Sequence, residues 1–320
     1  MTLLQIEDLQ TCLSLKEKKF LVSDNISLDL QENEILGLIG ESGCGKTLTC
    51  LSMAGLVPKH AIIQYKRFIF QGREIDLSDP GDIKKMRAKG ISYIFQESAS
   101  HINPLFCIGD QIAESVFYSL GLKKEEAKKE SLLLLEQVGL TPATQYYKSF
   151  SHQLSGGMNQ RAMIALALSS RPKILVADEP TTALDASIQN DIVNLVRSLI
   201  RKLEVSVIWI THDISLIQNF ADRIAIMYAG RIVEIGESHR IFTQPAHPYT
   251  KALISCLPEN LKQKRFTSIT GEVADLSNLP GGCKFHPRCP FRMEQCLKIE
   301  PDFITVDIQQ KAKCYLLPKG

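Results

Sequence analysis

Apolar and polar residues alternate with period two in Asn25-Ile-Ser-Leu-Asp-Leu30, the pattern of a strand with one buried face. Ile35-Leu-Gly-Leu-Ile39 is apolar almost without interruption, as expected of a strand buried on both faces. That run enters a glycine loop at Gly40, and Thr47–Gly55 then has helical character. Residues 2–45 as a whole read as short strands. From about residue 105 to 170 the texture changes. Asp110-Gln-Ile-Ala-Glu-Ser-Val116 and Lys123–Val138 read as consecutive helices with no strand between them, a helical insertion into an α/β domain. Strand and helix alternate again through Ile174–Asp178, a helix near Ser187–Lys202, Val205–Thr211, a helix near Ser215–Phe220, and Arg223–Met227. Apolar strands separated by helices predict a mostly parallel sheet covered on both faces. Beyond about residue 257, Pro258, Pro280, Gly281, Gly282, Pro287 and Pro290 leave little room for regular structure. The expected division is therefore a domain over 1–256 and a small appended module over 257–320.

Composition narrows the class. The 320 residues carry 37 Lys and Arg against 35 Asp and Glu, a net charge of +2, which argues against a large nucleic-acid surface. Apolar residues make up 44% and charged residues 22%, which excludes a disordered or collagen-like chain. No stretch approaches the roughly 18–20 uncharged apolar residues that span a bilayer. The N-terminus, Met1-Thr-Leu-Leu-Gln-Ile-Glu-Asp8, lacks the basic region, apolar core and cleavage site of an export signal. The chain is expected to stay inside the cell, with any membrane role arising through a partner. Its nine cysteines are then expected as reduced thiols or ligands, not as disulfides. Five are scattered (Cys12, Cys44, Cys50, Cys107, Cys256), whereas Cys283, Cys289, Cys296 and Cys314 crowd the last 38 residues.

Three motifs carry chemistry. Gly40-Glu41-Ser42-Gly43-Cys44-Gly45-Lys46-Thr47 fits G-x-x-x-x-G-K-[ST] and lies between a buried strand and a helix. A random chain of this length matches that pattern about 1% of the time, so a chance glycine turn is the weaker reading. The glycines let backbone N–H groups turn toward a polyphosphate at a helix N-terminus. Lys46 would meet the β- and γ-phosphates, and the Thr47 hydroxyl would ligate Mg²⁺. Ile174-Leu-Val-Ala-Asp178-Glu179 delivers Asp178 to the C-terminal end of a buried strand, where it would hold the Mg²⁺ shell. Glu179, one residue on, is suited to polarise an attacking water as general base. Leu154-Ser155-Gly156-Gly157-Met158 opens a further helix and offers a second anion-binding N-terminus.

With these residues the chain resembles the ATP-binding cassette (ABC) family over about residues 20–220. Ser155, Gly156 and Gly157 match its LSGGQ signature, Met158 replacing the usual glutamine. Gln96 matches the Q-loop glutamine (and further Mg²⁺ ligand), Ala183-Leu-Asp185 the D-loop, and His212 the switch histidine. The resemblance implies a P-loop ATPase cassette of α/β class. It has a mostly parallel core sheet, an antiparallel N-terminal β region, an inserted helical subdomain and, here, a small cysteine-containing C-terminal module. It implies ATP and Mg²⁺ as ligands. It also implies that the signature serves the ATP of an opposing subunit, so that two cassettes sandwich two nucleotides. The adenine-stacking aromatic is the weak point: an ungapped reading places Leu13 there, and Phe20 is the nearest aromatic.

A narrower likeness is to importers of oligopeptides, dipeptides and nickel. It rests on Phe95-Gln96-Glu97-Ser-Ala-Ser-His-Ile-Asn103-Pro104, on Ala246-His247-Pro248-Tyr249-Thr250 and on the cysteine tail. That likeness implies an ATP-hydrolysing subunit on the cytoplasmic face of the cell (inner) membrane. Its partners would be a second homologous ATPase subunit, two permease subunits and, indirectly, an extracytoplasmic binding protein, with no nucleic acid. The tail spacing C-x5-C-x6-C-x17-C suits tetrahedral zinc, an iron–sulfur cluster or four reduced thiols. The resemblance points to a 4Fe–4S cluster lying outside the cassette core. Nickel import is the close rival. A soluble DNA-repair cassette would need a long insertion, for which the 106 residues between Thr47 and Leu154 leave no room. A ribosome-associated protein would carry two cassettes.

Overall fold

In a computed structural model, residues 1–15, 18–96, 98–182, 184–257 and 269–318 are described, so that Glu97, Ala183 and Pro258 lie outside the described residues. The chain opens with strands β1 (Thr2–Leu15) and β2 (Lys18–Gln31). They are long, not the short strands that the sequence predicts. The reason is in the chain itself: residues 2–31 contain neither Gly nor Pro, so nothing interrupts the ladder. Ile26, Leu28 and Leu30 are buried, as the alternation requires. β3 (Ile35–Ile39) is buried at every position and leads through the glycine loop into helix α1 (Lys46–Met53). β4 (Ala61–Gln64), β5 (Arg67–Phe70) and β6 (Arg73–Glu74) follow. β5 and β6 are joined by Gln71 and Gly72, at φ 51° and 72°, the left-handed pair that a two-residue hairpin needs.

Helix α2 (Pro80–Lys89) starts where the Asp79 carboxylate accepts from the N–H groups of Gly81 and Asp82 at 3.2 and 3.1 Å. After β7 (Ile91–Ile94) come the short α3 (Ser98–His101), then α4 (Ile108–Leu120), α5 (Lys124–Gln137), α6 (Ala143–Tyr147) and α7 (Gly156–Leu168). No strand occurs among the described residues from 95 to 173, as the helical texture predicts. α4 buries Ile108, Ile112 and Val116, one face of a 3.6-residue period, and stops at left-handed Gly121. β8 (Ile174–Asp178) and the amphipathic α8 (Ala186–Leu203) follow, then β9 (Ser206–Thr211), α9 (Ile214–Ile217), β10 (Arg223–Tyr228) and β11 (Arg231–Glu237). Helices α10 (Ser238–Thr243) and α11 (Pro248–Ser255) precede the tail. The tail is more regular than its prolines predict, with a 3-10 turn at His286–Arg288, α12 (Glu294–Lys298), β12 (Ile304–Asp307) and β13 (Gln310–Ala312). Pro280 and Pro290 fall between these elements, and Pro287 sits in the first positions of the 3-10 turn, where a missing N–H costs no hydrogen bond. No helix among the described residues is long and apolar enough to cross a membrane.

The described residues form two compact units. One comprises residues 1–30, 35–75 and 211–320. It holds the sheet β2-β1-β5-β6, with β4 also on β1, and a run of strands in the order β12-β13-β11-β10-β3. β10 and β3 are parallel, with Ile224 opposite Gly37, and the remaining pairs of that run are antiparallel. The other unit comprises residues 31–34 and 76–210, with β9, β8 and β7 parallel and Ile174 paired with both Ser206 and Ile91.

The tail joins the first unit through a buried carboxylate. Glu234 on β11 is fully buried. It accepts from the N–H groups of Ala246 and His247, each at 2.8 Å, and from Gln310 Nε2 at 2.6 Å. One side chain thus ties β11, the start of α11 and β13. His247 is buried beside it, its imidazole pushed down to about 3 by desolvation, and its neutral Nδ1 accepts from Tyr249 N–H to cap α11. Replacing Glu234 with Ala strands three buried donors at once. We expect a loss on the order of 3 kcal/mol or more, at about 1–3 kcal/mol per unsatisfied group. Denaturant titration of wild type and Glu234→Ala measures it; a change under about 0.5 kcal/mol, the range of ordinary surface substitutions, would contradict this account.

Candidate functional site

The glycine loop sits in the first unit under steric constraint. At Gly40, a Cβ would lie 2.2 Å from the Met227 carbonyl oxygen and 2.7 Å from Cys44 Sγ. At Gly45, which caps α1 at φ 103°, it would lie 2.4 Å from the Val22 carbonyl oxygen. Gly43 also has positive φ, 77°, yet faces open space. β2 and β10 therefore press on both ends of the loop, and only glycine fits there. The Cys44 carbonyl accepts from Gly230 N–H at 2.9 Å, which pins the loop to the β10–β11 hairpin. Burial pushes the Cys44 thiol up. Lys46 is buried, and its ammonium donates to the carbonyls of Gly40 and Glu41 at 2.8 and 3.0 Å. Ser42 and Thr47 are exposed at the loop rim.

Glu41 is held from three sides. Its N–H donates to Tyr249 Oη at 3.0 Å, its carbonyl accepts from Lys46, and its carboxylate takes the Arg288 fork at 2.6 and 3.0 Å. The hydrogen bonds to Glu41 hold the Arg288 guanidinium well above its ordinary value. Sequence reasoning missed both partners. Tyr249 and Arg288 stand inside the two stretches that served only to mark the tail, so the signal was there without a role attached. Through Arg288 the C-terminal stretch reaches the glycine loop directly. His212 follows β9 and is exposed, and Asp213 caps α9 by accepting from Ser215 N–H at 3.0 Å. Leu13 lies in β1 opposite Ala61, and Phe20 lies in β2; both are half-buried.

The second unit brings Gln96, Asp178 and Glu179 together. β7 and β8 run parallel, so their C-terminal ends coincide. Buried Asp178 accepts from Tyr93 Oη at 2.8 Å. Glu179 Oε2 accepts from Gln96 Nε2 at 3.1 Å and from Thr182 Oγ1 at 2.9 Å. The Glu179 backbone is left-handed, at φ 44°, and its N–H is held by the Ile210 carbonyl at 3.0 Å. A non-glycine residue there stores about 1–3 kcal/mol of strain, and such strain collects at functional positions. Tyr93 and Thr182 were not singled out from the sequence, where neither belongs to a motif.

Ser155 caps α7, its hydroxyl accepting from Met158 N–H at 3.3 Å, with Ser155 and Gly156 exposed and Gly157 buried. A Cβ at Gly156 would meet Leu184 at 3.4 Å, and one at Gly157 would meet Ile188 at 3.0 Å. The signature turn thus lies against the segment carrying exposed Asp185, which stands at the N-cap position of α8 with no side-chain capping bond.

Cys283, Cys289, Cys296 and Cys314 line one small, largely apolar cavity of about 20 Å³, walled in part by Phe285 and Met293. Burial pushes the Cys283 thiol up to about 11, with the other three thiols adding repulsion, and raises Cys289 and Cys314 as well. Among the described residues, no group of three or more His, Cys, Asp or Glu is arranged to hold a single metal ion. His286 turns its Nδ1 to the Cys283 carbonyl, 2.8 Å away.

Comparison with known proteins places this geometry. Residues 23–182 match the family model described as ABC transporter. Residues 233–296 match that of the oligopeptide/dipeptide transporter C-terminal region. The chain is 38% identical over 317 residues to the oligopeptide transport ATP-binding protein AppD of Bacillus subtilis (strain 168), covering 98% of this chain and 97% of that one. It is 41% identical over 293 residues to the dipeptide transport ATP-binding protein DppD of the same organism, covering 91% and 88%. Its fold is similar to a solved dimeric ATP-binding cassette bound to ADP and Pi in a post-hydrolysis state. That match has a TM-score of 0.65 at 24% identity and covers 74% of this chain and 99% of the other.

The loop sterics order three substitutions. Gly43→Ala meets no neighbour and carries only the left-handed cost, about 1–2 kcal/mol. Gly45→Ala adds to that cost a collision with a backbone carbonyl that cannot move aside, and Gly40→Ala meets such a collision without the left-handed cost. Both are expected to lower the melting temperature more than Gly43→Ala. Equal melting of all three variants would refute the wedge.

Proposed function

This chain belongs to the ABC transporter family, and we propose that it is the ATP-hydrolysing subunit of an importer that moves di- or oligopeptides through a membrane permease. The observation that carries the cargo class is the near full-length likeness to the oligopeptide transport protein, which continues through the cysteine tail. Residues 1–256 form the cassette in this reading and residues 257–320 its C-terminal module.

ATP would lie with its phosphates against the backbone of Gly40, Glu41, Ser42, Gly43, Cys44 and Gly45, at the N-terminus of α1. Lys46 swings from the loop carbonyls to the β- and γ-phosphates. Thr47, Gln96 and Asp178 would hold Mg²⁺, which when bound supplies charge neutralisation at the phosphates. The Tyr93 hydroxyl keeps the Asp178 carboxylate oriented toward that duty. Glu179 takes a proton from water as the water oxygen bonds to the γ-phosphorus. The bond to the β–γ bridging oxygen breaks, and ADP and phosphate leave. The hydrogen bonds from Gln96 and Thr182 aim the Glu179 carboxylate at that water. His212 acts as the switch beside the γ-phosphate. Ser155, Gly156 and Gly157, with Asp185, serve the nucleotide of an opposing cassette, a second homologous subunit.

The chain would sit peripherally on the cytoplasmic face of the cell membrane. The second unit offers a permease the groove of about 520 Å³ lined by Phe106, Phe117, Tyr118 and Tyr147, with Phe106 and Tyr118 exposed at its rim. In this reading the four tail cysteines would hold a 4Fe–4S cluster, which is supported by all four lining one largely apolar cavity. When bound, the cluster supplies a staple to a module too small to build its own apolar core.

Two experiments test this reading. Lys46→Ala should weaken ATP binding, whereas Glu179→Gln should keep binding and lose at least about 100-fold in turnover, the scale of a general base. Nucleotide binding and phosphate release separate the two; near wild-type hydrolysis by Glu179→Gln would remove the base assignment. For the tail, protein purified without air should be brown and contain iron with labile sulfide. Cys283→Ser should bleach it, and Cys12→Ser should not. One zinc per chain, or colourless metal-free protein that is otherwise native, would defeat the cluster.

A further inference from the structure

A phosphate-binding loop works by pointing backbone N–H groups and one ammonium at a polyanion. This loop also carries a carboxylate, Glu41, at its second position. An unneutralised carboxylate there would oppose every phosphate that enters. Among the described residues, Arg288 is the cation placed on it. Arg288 donates Nη1 to Oε2 at 2.6 Å and Nη2 to Oε1 at 3.0 Å, the bidentate geometry that suits a guanidinium and a carboxylate.

Arg288 is built for this contact. Its side chain is 4% exposed, against 22% for Glu41. Its Nε donates to the Thr270 carbonyl at 3.1 Å and its Nη2 also to that of Ile269 at 3.3 Å. Its guanidinium carbon stands 5.8 Å from the Tyr228 ring centre and 6.0 Å from that of Phe285. Tyr228 and Phe285 in turn pack against Tyr249, which accepts the Glu41 N–H. The aromatic cluster and the two backbone carbonyls leave the guanidinium one orientation, the one that meets Glu41. The residue comes from 247 positions along the chain, next to Cys289 of the four-cysteine cavity.

We propose that Arg288 is a positioning residue for nucleotide binding: it neutralises and fixes the Glu41 carboxylate, so that the C-terminal module sets the affinity of the glycine loop for ATP. This rests on the nucleotide reading of the loop. A purely structural ion pair and this role make different predictions. If the pair only stabilises the fold, removing one partner lowers the melting temperature, removing both can be nearly neutral, and ATP affinity stays at the wild-type value throughout. If Arg288 exists to cancel Glu41, the loss of Arg288 is repaired by removing the charge that it cancels.

The test measures equilibrium binding of Mg–ATP to the full chain, purified without air. It compares wild type, Arg288→Gln, Arg288→Lys, Glu41→Gln and the Glu41→Gln/Arg288→Gln double variant, with melting temperatures in parallel. Arg288→Gln should weaken binding about tenfold, as one unscreened charge near the phosphates would. The weakening should shrink as salt rises from about 0.01 M to about 1 M, because the Debye length falls from about 30 to about 3 Å. The double variant should recover to within about threefold of wild type, and Arg288→Lys, which keeps the charge and loses the fork, should lie between. Wild-type affinity in Arg288→Gln overturns the proposal, and so does a double variant as weak as Arg288→Gln. Should Arg288→Gln fail to fold, Glu41→Gln alone decides: it should bind ATP at least as tightly as wild type, and weaker binding overturns the proposal. A wild-type chain that bound no ATP would instead defeat the nucleotide reading itself.

Discussion

The site depends first on how closely the glycine loop is packed. β10 presents the Met227 carbonyl to Gly40, and β2 presents the Val22 carbonyl to Gly45, at distances that no Cβ could share. A loop clamped at both ends keeps its shape before any ligand arrives, so a polyanion meets N–H groups already aligned and pays little ordering entropy. The Gly230 hairpin adds to this, with its N–H on Cys44 and its carbonyl on Asp24 N–H at 2.8 Å. Preorganisation of the first unit therefore comes from strands that flank the loop in space and lie far from it in sequence.

In the second unit the same principle governs two carboxylates. Asp178 ends a buried parallel strand, and desolvation there would penalise its charge without a donor; the Tyr93 hydroxyl is that donor. Glu179 is placed by a strained backbone and by two donors that converge on one carboxylate oxygen. The other oxygen receives neither of these two hydrogen bonds. One residue of separation on the chain thus gives two acids different surroundings, because one is buried at a strand end and the other follows it at left-handed φ.

The C-terminal segment shows how a short, proline-rich stretch acquires a definite structure. It adds β13 to β11, accepts the buried Glu234 as anchor through Gln310, and ion-pairs Arg231 with Glu300. Its cysteines gather around a single cavity walled by Phe285. Among its described residues beyond 269 the buried hydrophobic side chains are Phe285, Ala312 and Cys314, so carboxylate hydrogen bonds and ion pairs do much of the holding. Arg288 carries that organisation to the glycine loop, which makes the tail part of the nucleotide site's surroundings.

What the sequence by itself determined is local. The period-two and continuous apolar runs defined β2, β3, β8, β9 and β10; the unbroken helical texture defined α4 to α7; and the loop, the paired acids and the signature turn each declared their chemistry through residue type at fixed spacing. Those features depend on neighbours a few positions away, which a linear reading sees. The length of β1 and β2 is legible too, in the absence of any Gly or Pro, although their apolar runs are short. Only the tertiary structure decided which distant groups complete the site. Tyr93 reaches Asp178 across 85 positions, Tyr249 reaches Glu41 across 208, and Arg288 reaches it across 247. Nothing in the spacing of a tyrosine or an arginine says which carboxylate it will meet, because that pairing is set by sheet order and by the packing of the tail, and these exist only once the chain has folded.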